Sequence, residues 1–324
     1  MNIATWGNQY VNQVIALWNE EAVKESYKEL SAQSFEAIFL SNPYFDKENT
    51  FVLLERDQVI GFACGCTGDD LPLGDLAGYI TCIVLSSDWR TDENYRMLLD
   101  VLEHRFQQKG KKQADILFFN PIKLPWYIPD TPNHEHNNAP GLPVDSPVYA
   151  FLLSQGYKER VQESGMYLNL AGFAIPDDNR AKEEKAVADG YKVELFDPGK
   201  HYGVDDMLSG LNNLLWQKEI AECTADGVPV VIAAHQGKAV GFAGPVIRQE
   251  NGRGYFTGIG VHPDHEGHGL GSILFFKLCE AFEAIGTEYM SLYTGVSNPA
   301  IRIYEKAGFK TIKYFSVMRR EFSS

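Results

Sequence analysis

Hydrophobic spacing is most regular between residues 190 and 320. Alternation over 192–197 predicts a strand. Residues 205–221 then switch to helical spacing, with Met207, Leu208, Leu211, Leu214 and Leu215 on one face. The run 229–234 (PVVIAA) predicts a buried strand, a His-Gln-Gly-Lys turn follows, and 239–247 returns as its hairpin partner. A turn at 251–254 leads into a strand at 255–261. After a glycine-rich stretch, 272–285 is an amphipathic helix with Leu274, Phe275, Leu278, Cys279 and Phe282 on its apolar side. A strand at 289–293, a short helix at 299–307 and strands at 309–312 and 315–320 complete the series. This order predicts an α/β (α+β) architecture, a mixed sheet with helices packed on it.

The N-terminal half follows the same order more loosely. A helix at 11–22 precedes strands at 50–55 and 59–67; 79–85 resembles 255–261 in character, and 95–106 is the amphipathic helix after it. Residues 115–120 resemble 288–294, Gly156-Tyr157 resembles Gly308-Phe309, and 165–170 resembles the closing strand. Residues 121–147, rich in Pro, Asn and His without apolar periodicity, are expected to be a surface loop insertion in which His134 and His136 are solvated. The expected organisation is two tandem units: a domain at 1–170 carrying the 121–147 insertion, and a second at 171–324 entered through a helical connector at 176–189.

Charge narrows the range of functions. The net charge is −14, with 14 basic against 25 acidic residues in 1–180 and 15 against 18 in the remainder. No basic face is present for nucleic acid. No apolar run of membrane-spanning length is visible, and no secretory leader, so neither a membrane nor export is expected. The five cysteines show no zinc-type spacing and read as reduced thiols of a cytoplasmic protein. His262, His265 and His268 recur at every third position, but in a turn beside glycines and without carboxylate spacing; no metal is expected.

The chemistry concentrates in Gly260-Val-His-Pro-Asp-His-Glu-Gly-His-Gly-Leu-Gly271-Ser272. A strand turns at Pro263, passes three glycines and enters a helix. Glycines let the backbone approach a ligand, and the unpaired amides of a helix start point outward, which together suit a pyrophosphate. The segment lacks the Gly-Lys-Ser/Thr ending of a nucleotide-hydrolysing loop, and its glycine order differs from the dinucleotide fingerprint. Downstream stands Ser297-Asn-Pro-Ala-Ile-Arg-Ile-Tyr304-Glu-Lys-Ala-Gly308-Phe309, with Asn298 as a helix cap, Pro299 in the first turn and Gly308 as a stop.

These two segments, in this order, resemble the acetyl-CoA-binding and second motifs of the GNAT superfamily of N-acetyltransferases, over roughly residues 191–320; the whole resembles its tandem-domain type. The resemblance implies that Gly267, His268, Gly269, Leu270, Gly271 and Ser272 hold the CoA diphosphate through their backbone. It implies that Ile259, Val261 and Asn298 contact the pantetheine arm, and that Val261 main chain polarises the acetyl carbonyl. Tyr304 would be the general acid that protonates the departing thiolate. The implied reaction is acetyl transfer from acetyl-CoA, as co-substrate, to a primary amine of a small molecule, by a monomer or homodimer.

Two positions depart from the family pattern. Glu266 stands where Gln or Arg is usual, and Ser297 where the family's asparagine commonly lies. The aligned N-terminal segment, Ser86 to Tyr95, has no glycine, and Leu152 matches Tyr304, so this half reads as a degenerate copy. No glutamate lies on 255–260 to act as base; His262, Glu222 and Asp226 are the candidates, with a water chain as the alternative. A non-catalytic CoA-binding or protein-interaction module is the alternative reading.

Overall fold

The computed structural model describes residues 1–322. They form two compact units. Unit 1 holds 1–165, 293–297 and 311–322, and unit 2 holds 166–292 and 298–310, so neither is contiguous in sequence. Each is a mixed, mostly antiparallel sheet with flanking helices.

In unit 1 the strands Asn2–Thr5, Thr50–Glu55, Gln58–Cys66 and Ala77–Leu85 pair antiparallel in sequence order, and Ala77–Leu85 pairs in parallel with Gln113–Ile116. The crossover between those last two strands is the helix Asp92–Gln108, whose Leu98, Leu99, Leu102 and Phe106 are buried with Leu53, Ile60, Ile83 and Ile116. The 121–147 insertion is packed, contrary to expectation. Trp126–Tyr127 and Glu135–His136 form a small two-stranded sheet, and His134 and His136 are only 8% and 6% exposed. Absent periodicity signals a lack of long elements, and here short bridges and aromatic packing hold the segment. The two closing strands expected at 309–312 and 315–320 are a single strand, Lys310–Glu321. Lys313, between the two expected strands, lies within it and pairs with Asp145 at 3.0 Å.

In unit 2 a four-stranded sheet runs Tyr191–Leu195, Val231–His235, Lys238–Gly244, Gly258–Val261, antiparallel throughout. The helix Leu270–Ala284 buries Ile273, Leu274, Phe275, Leu278, Cys279 and Phe282 against Val231, Ala233, Val240 and Ala243. The connector is the helix Asp177–Ala188, which packs on Leu270–Ala284. A second set, Ile247–Arg248, Arg253–Tyr255 and Tyr289–Gly295, includes a parallel pairing of Arg253 with Tyr289.

Two elements of unit 2 differ from the periodicity. The expected helix 205–221 is two helices, Val204–Gly210 and Leu214–Ala225. Asn212 turns with φ +50, and Asn213 Oδ1 accepts the Trp216 amide at 3.2 Å as a new cap. The break removes Leu214 and Leu215 from the apolar face, leaving them 82% and 62% exposed. The expected strand 255–261 is likewise two strands in different sheets, Arg253–Tyr255 and Gly258–Val261.

Candidate active site

The division at Phe256-Thr257 creates the site. On its early side Arg253 is buried and clamped to the neighbouring strand, with Nε donating to Ser291 Oγ at 2.7 Å and Nη2 to Ser291 O at 2.8 Å. On its late side the chain has crossed to the other sheet, where Thr257 N donates to Gly244 O at 2.9 Å and His262 N to Val240 O at 2.7 Å. Strands that are neighbours at Arg253 have therefore diverged by Gly258, and Gly258–Val261 is an edge strand.

Antiparallel alternation decides which residues face that open edge. With His262 bonded to Val240, the opposed pairs Gly260–Phe242 and Gly258–Gly244 also spend their main-chain groups across the ladder. Ile259 and Val261 turn theirs outward, while their side chains pack on the core beneath the Leu270–Ala284 helix.

The opposite face of the strand carries no side chain at Gly258 and Gly260. A Cβ on Gly258 would lie 2.4 Å from the Trp216 indole nitrogen, and one on Gly260 would lie 2.7 Å from Leu211. Trp216 Nε1 donates to Thr257 O at 3.3 Å, and one helical turn on, Glu219 Oε1 accepts from the Tyr255 hydroxyl at 2.8 Å. Burial, helped by that bond, pushes the Tyr255 phenol up to about 12. The sequence carried a signal for this wall in the two close-spaced glycines, but the reason for them is the indole.

Beyond the edge strand lies a cleft of about 600 Å³, lined by Val261, His265, Gly267, Gly269, Leu270, Gly271, Ser272 and Ile303, and by the charged Lys182, Glu266, Arg302 and Lys306. Gly267 and Gly269 have φ of +84 and +73, the left-handed region in which a Cβ is strained. Gly269 is the helix N-cap and offers no side chain to the first turn. The amides of Gly269, Leu270, Gly271 and Ser272 consequently have no hydrogen-bond partner among the described residues. Such a set of outward donors, with the positive end of a helix dipole behind them, is competent to hold an anion. A larger groove of about 780 Å³ lies in unit 1, but Glu48, Asp100 and Glu103 among its walls make it a poor receiver of phosphate.

Tyr304 lies in the helix Ile301–Lys306, its ring edge-on to Phe275 at 4.8 Å and tilted against Phe309 at 6.2 Å. Burial raises its pKa above the usual 10, so the phenol keeps its proton across the neutral range. That helix starts later than the sequence suggests. Asn298 is exposed, and its Oδ1 accepts the Ala300 amide at 3.0 Å, while Ala300 is the cap residue. Asn298 is not among the cleft-lining residues. His268 leans on the Tyr191 ring at 4.7 Å and lies 3.3 Å from Asp189, on the outside of the loop. Of the candidate bases, Glu222 and Asp226 are exposed, and the His262 ring fills the space beside Gly210. No group of metal-ligating side chains occurs among the described residues, and no helix there is long and apolar enough to cross a membrane.

The corresponding turn in unit 1 is built differently. Its helix Asp92–Gln108 is capped by Thr91, whose Oγ1 accepts the Asn94 amide at 3.2 Å. The loop before it is tied to a buried carboxylate: Glu21 accepts from the Ser87 amide at 2.8 Å, the Ser87 hydroxyl at 2.6 Å and Arg90 Nη2 at 2.9 Å.

Comparison with known proteins agrees with this geometry. The family model "Acetyltransferase (GNAT) family" matches residues 195–309. No curated protein matches the chain. Among solved structures, one similar chain is described as a GCN5-related glucosamine N-acetyltransferase region in a fungal multi-domain beta-N-acetylglucosaminidase. It has 12% identity, TM-score 0.64 and 98% of this chain covered, but this chain spans only 38% of that one. A GCN5-related N-acetyltransferase from Sphaerobacter thermophilus is 13% identical with TM-score 0.61, covering 99% of this chain and 95% of its own. A tandem GNAT protein from the clavulanic acid biosynthesis pathway is 16% identical with TM-score 0.55, covering 100% and 99%. Residues 195–309 match the acetyltransferase (GNAT) family, and the fold of the chain is similar to that of a tandem GNAT protein.

Proposed function

We propose that unit 2 transfers the acetyl group of acetyl-CoA to a primary amine of a small molecule, with Tyr304 as general acid, and that unit 1 is a degenerate copy that binds no CoA. The reaction class is that of the family, acetyl transfer. The observation that carries the cofactor is the divergence of the strands at Thr257, which opens the Ile259 and Val261 main chain beside the unpaired amides of Gly269 to Ser272. The residues present fit a diphosphate-bearing thioester: a Cβ built on Gly267 meets nothing within 4 Å, and on Gly269 only Lys182 at 3.9 Å.

Acetyl-CoA, when bound, supplies an acyl carbon activated by sulfur. The amine nitrogen bonds to that carbon, the carbon–sulfur bond breaks and the thiolate takes the Tyr304 proton. Val261 main chain polarises the acetyl oxygen from the open edge. Ile259 orients the pantetheine arm from the same edge, and Asn298 borders the second segment. His268 contributes its backbone to the diphosphate loop. The attacking nitrogen gives up one of its two protons to solvent or to His262, and Tyr304 recovers a proton from solvent. The face walled by Trp216, Leu211 and the Tyr255–Glu219 pair receives the amine, and its closeness to the strand favours a small molecule over a polypeptide.

Calorimetry with acetyl-CoA, followed by thiol release against a panel of amines, tests the proposal. Micromolar binding with release for at least one small amine is expected. Binding without release for any amine would favour a non-catalytic CoA-binding module, and no binding would refute both.

A further inference from the structure

We propose that Lys182, on the connector helix, and Arg302, on the helix that carries Tyr304, are the side chains that receive the diphosphate of the acetyl donor. They supply the cationic charge that Glu266 removes from the loop itself. The inference rests on the acetyl-CoA reading above; Lys182 lies outside both motifs, and Arg302 lies in the second without a role assigned to it there.

Placement comes first. On a helical period Asn179, Lys182, Glu183 and Ala186 share one face of Asp177–Ala188. Three of them fasten that face to the Leu270–Ala284 helix or its surroundings. Asn179 Nδ2 donates to Ser272 O at 3.5 Å, Glu183 pairs with Lys277 at 3.3 Å, and Ala186 is in the core. Lys182 is carried by this fixed face to the loop, its Cδ 3.9 Å from the position a Gly269 Cβ would take. Arg302 reaches the same cleft from Ile301–Lys306, whose Ile303 and Tyr304 are packed on the core.

Charge pairing is the second observation. Two other cations near the cleft are matched, Lys277 with Glu183 and Glu280 and Lys306 with Asp178. Neither Lys182 nor Arg302 has a carboxylate partner among the described residues, although the chain carries 43 acidic against 29 basic residues. Two unmatched cations beside four unpaired amides leave the cleft positive despite Glu266. That is the complement of a diphosphate, and charge-assisted contacts of this kind are the stronger class of hydrogen bond.

The test measures binding of acetyl-CoA, dephospho-acetyl-CoA and S-acetylpantetheine to the full chain and to Lys182→Ala, Arg302→Ala and the double variant. Each single change should weaken acetyl-CoA binding about tenfold and the double about a hundredfold, as for the loss of charge-assisted contacts. The same losses should persist with dephospho-acetyl-CoA, and the affinity gap between acetyl-CoA and S-acetylpantetheine should narrow correspondingly. Lys182→Arg should recover most of the affinity. Because both side chains are exposed and unpaired, unchanged thermal unfolding should accompany the loss. Variants that bind acetyl-CoA as the parent does would overturn this inference and leave the acetyltransferase reading standing. A loss that vanishes with dephospho-acetyl-CoA would overturn the diphosphate assignment in favour of the 3′-phosphate. A parent chain that binds no acetyl-CoA would remove both proposals together.

Discussion

The Glu21 carboxylate, 1% exposed, accepts both the amide and the hydroxyl of Ser87, at 2.8 and 2.6 Å. An internal anion thus holds the loop that follows the strand Ala77–Leu85 in unit 1. Glu21→Ala should destabilise the folded chain by about 2–3 kcal/mol, since it strands buried donors and Arg90. Urea unfolding of the two chains measures this.

The same residue sets an acid limb. Burial pushes the Glu21 carboxyl up, but bonds from the Ser87 hydroxyl and amide and from Lys24 outweigh it, leaving the pKa below 4.5. A folded pKa below the unfolded one means stability that is present above about pH 4.5 and lost as pH falls through the folded value. Glu21→Gln should therefore be less stable at pH 7 and converge on the parent as pH falls through the folded value.

Tyr304→Phe should lower kcat about a hundredfold, the ordinary size of a lost general acid, with acetyl-CoA affinity unchanged within about twofold. Burial holds the phenol above its usual 10. The deficit should therefore be constant from pH 6 to 9. Steady-state kinetics and calorimetry separate the two effects, and equal turnover on every accepted amine would remove Tyr304 from the chemistry.

Gly269→Ala and Gly271→Ala form a matched pair. At φ +73 an alanine costs about 1–2 kcal/mol, and its methyl would project into the cleft beside Lys182. Gly271 lies inside the helix, and its Cβ would meet nothing. Gly269→Ala should lose stability and acetyl-CoA affinity; Gly271→Ala should hold or gain about 0.5–1 kcal/mol of stability. Thermal melts with and without acetyl-CoA compare them.

Acetyl-CoA affinity should also rise as pH falls from 8 to 6. His265 lines the cleft, its Nδ1 3.0 Å from the Tyr191 hydroxyl. Burial first, then the neighbouring His235, His262 and His268, hold its pKa below 6.5. In the free protein that depression means stability lost as pH drops below 6.5, because the unfolded chain takes the proton more readily. A bound dianion reverses the preference, so binding should take up protons. Calorimetry in buffers of differing ionisation heat measures this, and His265→Gln should flatten the dependence.

Much of the fold is legible in the chain because its signals are local. The helices at 92–108 and 270–284, the strands at 50–55 and 231–235 and the glycine loop each declare themselves within a dozen residues, by period, caps or turn chemistry. Some local signals were present but outweighed: Gly210 and Asn212-Asn213 interrupt a helix that the apolar spacing of Leu211, Leu214 and Leu215 had carried through.

The sequence by itself determined the α/β architecture, the repeated order of elements and the two motifs that mark an acetyltransferase. Tertiary structure alone decided where the strand 255–261 divides, because the division depends on Arg253 gripping Ser291 while Thr257 and His262 bond to another strand. It alone brought Lys182, some ninety residues upstream, to Gly269, and showed that Glu21 fills the turn at Ser87. Spacing encodes which face of an element is apolar, whereas the meeting of distant charged and polar groups is chosen by how the elements pack.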